Sequence, residues 1–147
     1  RVWRVDFDGP AGTAVRVGVF PGGSEGEFAR TLAFIEKCGF AAMHSFPYSV
    51  RPGTKAAAME QLSAAVKERR AARAAEVASQ MLRAYLEGCV GQVYPVLFEQ
   101  PGREGEFTGH APNYMEVTAP GEDLHNCLRP VRITGVKGTI LKGEIQP

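Results

Sequence analysis

The sequence predicts a chain of class α/β plus β, in which an α/β region precedes a small all-β region. A strand–helix–strand pattern fills about the first 60 residues, a long helical segment follows, and five short strands separated by turn residues complete the chain. The length of 147 residues suits one ordinary domain or two small ones. We therefore divide the chain into residues 1–62, a connecting helix at 63–88 and residues 89–147.

Composition limits the class of protein. Lys and Arg number 17 against 16 Asp and Glu, so the formal net charge is +1 and any basic surface must be local. The 44% hydrophobic residues are typical of a folded domain. Three cysteines without CxxC spacing favour a reducing, cytoplasmic location over a disulfide scaffold, and with three scattered histidines they predict no metal site. No apolar run approaches the ~20 residues that span a bilayer.

The first half has the pattern of a βαβ unit. We predict strands at 13–20 and 40–46 and a helix at 25–38; residues 1–11 predict no clear element. Ser24 and Glu27 have the spacing of a capping box, and Gly39 follows the helix as a stop signal. Ligands usually bind in the loops after parallel strands, where residues 21–23 and 47–54 lie.

The 47–54 loop is the more specific of the two. It combines an aromatic residue, two hydroxyls and Arg51 with two prolines and a glycine. An arginine in a rigid loop suits a phosphate or carboxylate, whereas the alternative is a plain βα turn capped by Thr54. The glycine-rich turn at 21–23 opens a helix and is a weaker candidate for anion binding.

A short helical stretch is predicted at 55–61 and a long helix at 63–87, which Gly88 would end. The long helix has one apolar stripe and a basic first half. The stripe comprises Val66, Ala74, Val77, Met81 and Tyr85, and the basic residues are Lys67, Arg69, Arg70 and Arg73. Such a charge run is either a solvated face or part of an RNA surface.

The last part predicts a five-stranded antiparallel barrel of oligonucleotide-binding size. The strands are expected at 92–99, 105–110, 113–119, 128–136 and 138–145. Such barrels bind nucleic acid by stacking bases on aromatic rings beside cationic side chains. The candidates are Phe98, Phe107, Tyr114, Arg103, Arg129, Arg132 and Lys137.

Several motifs resemble the C-terminal part of the radical-SAM methylthiotransferases. HSFPYSVRPGT at 44–54 carries the resemblance, with FPGGSEGEF at 20–28 and TLAFIEKCGF at 31–40. VLFE at 96–99, Thr108-Gly109 and Asn113-Tyr114 are similar to the family's TRAM domain. The Phe-Pro-Tyr-Ser run and Asn113-Tyr114 favour the branch that modifies threonylcarbamoyladenosine in tRNA, the MtaB type.

This resemblance implies a fold and an activity. Residues 13–60 would be the last elements of a partial TIM-like barrel, and 91–146 the RNA-binding TRAM barrel. The family inserts a methylthio group at C2 of the modified adenosine next to the anticodon, using S-adenosylmethionine and two [4Fe-4S] clusters. The implied residues near S-adenosylmethionine or the target base are Phe46, Tyr48, Ser49 and Arg51. Those expected to bind the tRNA anticodon arm are Phe98, Asn113, Tyr114 and Arg129.

The family's cluster-binding cysteines have no counterpart among Cys38, Cys89 and Cys127. We therefore expect a fragment that needs an N-terminal catalytic portion and does not turn over alone. Two other interpretations remain: a free-standing, non-catalytic RNA-binding module, and a structural fragment that docks on another chain through an unpaired sheet edge.

Overall fold

A computed structural model of the chain describes residues 14–19, 21–103 and 105–147, without the side chains of 14–19 and 45–47. Residues 1–11, for which the sequence predicts no clear element, lie outside this description. The chain divides into two compact units, Arg1–Leu82 and Arg83–Pro147.

The first unit contains the expected βαβ arrangement. Strands β1 (Ala14–Val19) and β2 (Ala42–Pro47) pair in parallel, with Ala14 opposite Ala42. Helix α1 (Glu25–Cys38) connects them. Its predicted limits are confirmed, because Ser24 and Glu27 form the capping box and Gly39 ends the helix in the left-handed conformation at φ 64°.

The core of the first unit lies where α1 meets β2 and the following long helix. Helix α1 contributes Phe28, Leu32 and Ile35, which recur at the three- to four-residue spacing of one helix face. The remaining members of the cluster are Phe40, Met43, Ala74, Val77 and Met81. The apolar stripe predicted on the long helix therefore packs in its middle part against α1 and β2.

Lys55–Ala58 form a single 3₁₀ turn, shorter than the helical stretch predicted at 55–61. Helix α2 (Ala64–Cys89) follows and is about 39 Å long at 1.5 Å per residue. Its last seven residues belong to the second unit. The prediction that Gly88 ends the helix is wrong: Leu86 and Cys89 are buried, so packing outweighs the ~1 kcal/mol that glycine costs within a helix.

The second unit is a closed barrel of five strands in the order β3-β4-β5-β7-β6. The strands are β3 (Val93–Pro101), β4 (Glu106–His110), β5 (Glu116–Pro120), β6 (Cys127–Lys137) and β7 (Ile140–Ile145). Four of the five pairings are antiparallel, as the sequence predicts, and β5 pairs with β7 in parallel. A closed ring with an odd number of strands cannot alternate direction throughout, so one parallel pair is required.

Alternation along the strands fills the barrel interior. On β3, Val96 and Phe98 are fully buried, whereas Leu97 and Glu99 are exposed. The interior also receives the buried side chains of Val117, Val131, Ile133 and Leu141. The alternation of side chains along the strands thus separates a buried apolar core from an outer surface on which a ligand can bind.

Candidate cofactor loop and nucleic-acid surface

The loop after β2 contains a type II turn. The carbonyl of Arg51 accepts a hydrogen bond from Thr54 N at 3.3 Å, Pro52 precedes Gly53, and Gly53 has φ 82°. The Thr54 hydroxyl donates to the same carbonyl at 2.9 Å and accepts from Ala57 N at 3.2 Å. The turn therefore fixes the backbone of Arg51 while its side chain remains exposed.

The other implied cofactor residues precede this turn in the chain. Ser49 is exposed and Tyr48 is half-buried. The ammonium of Lys67, on α2, lies 5.8 Å from the centroid of the Tyr48 ring, which is within cation–π range. Phe46 is on β2, with a side chain outside the description. The loop is thus a βα turn capped by Thr54, and the same turn supports an exposed arginine.

The N-terminus of α1 is a poor anion site. The amide of Glu27 already donates to Ser24 Oγ at 3.2 Å, and a Glu27 carboxylate oxygen accepts from Ser24 N at 3.0 Å. The carboxylates of Glu25 and Glu27 both lie in the first helical turn. Negative charge already complements the helix dipole there, which disfavours a bound anion.

The basic half of α2 separates into one buried and several accessible cations. Arg70 is 5% exposed, its Nε donates to Glu25 Oε2 at 3.2 Å, and its guanidinium lies 5.3 Å from the Phe28 ring centroid. The side chains of Arg69 and Arg73 are 64% and 54% exposed and contact the same carboxylate at 3.5 and 3.8 Å. Three guanidinium groups thus share one carboxylate, and two of the three are exposed.

On the barrel, Phe98 does not lie on the surface. Its side chain is completely buried in the interior, because it is in phase with Val96 on β3. An aromatic ring in this position stabilises the barrel and is unavailable for stacking on a base. We therefore correct the expectation from the sequence and exclude Phe98 from the candidate surface.

Asn113 and Tyr114 lie in the turn between β4 and β5 and have different environments. Asn113 is half-buried; its Nδ2 donates to the Tyr85 hydroxyl at 3.1 Å, and its Oδ1 accepts from Met115 N at 3.3 Å. Tyr114 is 67% exposed with φ 62°. Asn113 thus holds the turn in place, and the Tyr114 ring is exposed to solvent.

The cationic candidates of the barrel are exposed. Arg129 and Arg132 lie on β6, and Arg103 and Lys137 lie in or beside turns. Arg132 Nη1 donates to the carbonyl of Gly91 at 3.2 Å, which fixes the direction of its side chain. These side chains can contact phosphate groups of a nucleic acid.

A small polar cluster connects the end of α2 to the barrel. The Tyr94 hydroxyl donates to the buried Cys89 sulfur at 3.6 Å, and Asn113 Nδ2 lies 3.9 Å from the same sulfur. Burial raises the pKa of Tyr94 from 10.0 to about 12, with smaller contributions from the hydrogen bond to Cys89 and from the charges of Cys89 and Tyr85. Tyr85 belongs to the apolar stripe predicted for the long helix, and no sequence pattern connects it with Asn113, which lies 28 residues away.

The cysteines do not form a metal centre. All three are free, with Cys38 exposed, Cys89 buried and Cys127 half-buried. No group of three or more His, Cys, Asp or Glu side chains suited to a metal ion occurs among the described residues. A [4Fe-4S] cluster needs several cysteine ligands, so these residues do not fit one.

Among the described residues, neither α1 nor α2 has the length and apolar content that a membrane span needs.

Comparison with known proteins identifies homologues. No protein-family profile matches the chain. The chain is 37% identical over 129 residues to tRNA-2-methylthio-N(6)-dimethylallyladenosine synthase of Maricaulis maris. It is 40% identical over 130 residues to the protein of the same name in Symbiobacterium thermophilum. Each match covers 86% of the chain and 28% of the relative.

These homologues are tRNA methylthiotransferases by name, which confirms the resemblance at that level. The name of these relatives specifies dimethylallyladenosine, whereas the motifs of the chain favour the threonylcarbamoyladenosine branch. That finer assignment is not confirmed and remains a prediction. The chain spans little more than a quarter of the length of these relatives.

Proposed function

We propose that the chain is part of a tRNA methylthiotransferase and that its barrel binds the anticodon arm of tRNA. The observation that carries the proposal is homology to two such enzymes over 86% of the chain, which includes most of the barrel. The exposed Tyr114 and the cations of β6 supply the two kinds of contact that such a surface needs.

The loop after β2 would contribute to the site of S-adenosylmethionine. The exposed guanidinium of Arg51 suits the carboxylate of that molecule, and the Ser49 hydroxyl can donate a further hydrogen bond. The type II turn holds Arg51 in position, and Lys67 supports the neighbouring Tyr48. When bound, S-adenosylmethionine supplies radical chemistry with the clusters, whose cysteine ligands we place in a separate N-terminal portion.

For the target nucleoside, we propose N6-threonylcarbamoyladenosine. The support is the sequence HSFPYSVRPGT at 44–54 together with Asn113-Tyr114. The name of the two relatives favours N6-dimethylallyladenosine instead. A competition between stem-loops carrying each nucleoside would separate the two: preference for the threonylcarbamoyl form supports the proposal, and preference for the dimethylallyl form reverses it.

The main test is binding of the chain to a labelled anticodon stem-loop, followed by fluorescence anisotropy over a salt series. Each phosphate contact contributes about 0.7–0.9 to the slope of log K against log salt. Arg129→Gln should reduce the slope by about 1. Arg83→Gln is the matched control, because Arg83 already pairs with Glu87 at 3.3 Å.

The alternatives predict other results. Binding with the expected slope supports tRNA recognition. A folded chain that associates with itself but not with the stem-loop would favour a docking fragment. Equal affinity for stem-loop RNA and an unrelated RNA would favour a general RNA-binding module.

A further inference from the structure

Tyr114 has a conformation that large side chains rarely adopt. Its φ of 62° places it in the left-handed region, where a bulky residue is an outlier and glycine or asparagine is accommodated readily. Its ring is 67% exposed, so it contributes little to the barrel core. The backbone conformation is therefore unfavourable for tyrosine, and burial of the side chain does not compensate for it.

The turn that carries Tyr114 is held firmly. Ala111 N donates to Met115 O at 3.0 Å, and Tyr114 N donates to Ala111 O at 2.9 Å. Ala111 and Met115 are 4% and 9% exposed, so both ends of the turn are anchored in the barrel. The exposed ring therefore projects from an ordered support, which reduces the entropy that is lost when a ligand binds.

Asn113 links this turn to the last part of α2. Its amide nitrogen donates to the Tyr85 hydroxyl at 3.1 Å, and its amide oxygen accepts from the backbone of Met115 at 3.3 Å. Both groups of one half-buried side chain are thus used to fix the residues on either side of Tyr114. Tyr85 and Asn113 are thus placed to hold the turn that carries the ring.

The other aromatic side chains of this unit are less available. Phe98 is buried, and Tyr85, Tyr94 and Phe107 are half-buried. The exposed pair Leu97 and Leu128 is aliphatic and offers no π-face for stacking. Tyr114 is therefore the aromatic ring that a flat, unpaired base would find on this unit.

Exposed cations lie on the same unit as this ring. Arg129 and Arg132 are on β6, and Arg132 Nη1 donates to the carbonyl of Gly91 at 3.2 Å. An exposed aromatic ring and cationic side chains are the two kinds of group that bind single-stranded nucleic acid.

We propose that Tyr114 stacks on an unpaired base of the tRNA anticodon loop, with Asn113 and Tyr85 as positioning residues. This inference rests on the proposed tRNA binding. It identifies the side chain that contacts the unpaired bases of the anticodon loop. Phosphate contacts supply the salt-dependent affinity, and the Tyr114 ring supplies a salt-independent contribution.

The test uses anticodon stem-loops in which 2-aminopurine, a fluorescent adenine analogue, replaces one loop base at a time. Stacking on the wild-type chain should change the fluorescence at one loop position. Tyr114→Asn should abolish that change and weaken binding roughly 5- to 100-fold, with an unaltered salt slope. Because asparagine suits the left-handed conformation, this variant should fold at least as stably, which separates lost contact from lost structure.

Three further variants complete the design. Tyr114→Phe keeps the ring and should bind within about twofold of wild type. Tyr85→Phe removes the hydroxyl that Asn113 binds and should reduce the fluorescence change with a smaller loss of affinity. Tyr94→Phe is its matched control: the Tyr94 hydroxyl donates to Cys89 and not to Asn113, so its removal should reduce the fluorescence change less than Tyr85→Phe does.

The outcomes are distinguishable. If the wild-type chain binds the stem-loop and Tyr114→Asn gives the same affinity and fluorescence, the stacking proposal is wrong while tRNA binding stands. If the folded wild-type chain does not bind at any salt concentration, tRNA binding by this chain is wrong and the stacking proposal fails with it.

Discussion

Glu25, in the first turn of α1, forms the ion pair with Arg70, which is buried where α2 packs against α1. The two side chains differ in exposure, at 51% for Glu25 and 6% for Arg70. The carboxylate thus neutralises a guanidinium that has almost no access to water. This pair joins the two helices of the first unit. It leaves Arg69 and Arg73 as the exposed arginines that contact Glu25.

The first prediction concerns Glu25→Gln. Removing the carboxylate leaves Arg70 buried with only the Phe28 ring as a described partner for its charge, so the first unit should lose about 1–2 kcal/mol. Urea unfolding measures the change. Glu87→Gln breaks the exposed pair with Arg83 and should cost at most about 0.5 kcal/mol. Equal effects of the two variants would contradict the role of burial.

The second prediction concerns the close approach of β3 and β4. An added Cβ at Gly109 would overlap the Leu97 carbonyl oxygen and lie 2.7 Å from Phe98 Cα. Gly109→Ala must therefore shift backbone and should destabilise the barrel by about 1–3 kcal/mol. At 4–8 °C per kcal/mol for a unit of this size, the Tm should fall by roughly 4–24 °C.

Gly135→Ala is the matched control for that variant. Gly135 is also on a barrel strand, but its added Cβ would meet no atom within 4 Å. Its Tm should remain close to that of the wild type. A Gly109→Ala protein that melts as the wild type does would show that β3 and β4 can separate without cost.

Much of this architecture could be predicted from local signals. The capping box at Ser24 and the stop at Gly39 limit α1 correctly, because both act through neighbouring backbone groups. The prediction that Gly88 ends α2 is wrong because packing of Leu86 and Cys89, which are buried, decides where the helix ends. The prediction that Phe98 lies on the surface is wrong because Phe98 alternates with the exposed Leu97 and therefore points into the barrel.

The hydrogen bond between Asn113 and Tyr85 cannot be predicted from the sequence. Tyr85 is on another element, and no spacing rule joins a helix residue to a turn between two strands. The two arrangements considered for the 47–54 loop are compatible, because a backbone turn and an exposed arginine use different atoms of the same residues. Local patterns thus predict elements, whereas long-range hydrogen bonds decide how polar side chains such as Asn113 are oriented.

The third prediction concerns alkaline pH. The folded pKa of Tyr94 is about 12, against 10.0 in the unfolded chain. Between about pH 10 and 12 the unfolded chain releases this proton while the folded chain retains it, so stability falls as pH rises through that range. Tyr94→Phe removes this contribution, and its unfolding free energy should decline less steeply there.

Two measurements check the Tyr94 prediction. Urea unfolding at several pH values compares the slopes of wild type and variant. Absorbance near 295 nm, which reports tyrosinate, should show a late-titrating tyrosine in the wild type that is missing from Tyr94→Phe. A wild-type chain whose tyrosines all titrate near pH 10 would contradict a raised pKa of the half-buried Tyr94.

The last prediction concerns the basic face of α2. Arg69 and Arg73 share Glu25 with Arg70, so their exposed guanidinium groups retain positive charge available for a phosphate backbone. The double variant Arg69→Gln/Arg73→Gln should reduce the salt slope of stem-loop binding by about 2. Arg70→Met removes a neighbouring charge that RNA cannot reach, so it should leave the slope unchanged and alter only stability. If the double variant binds with the wild-type slope, this half of α2 is a solvated face and the RNA contacts lie on the barrel alone.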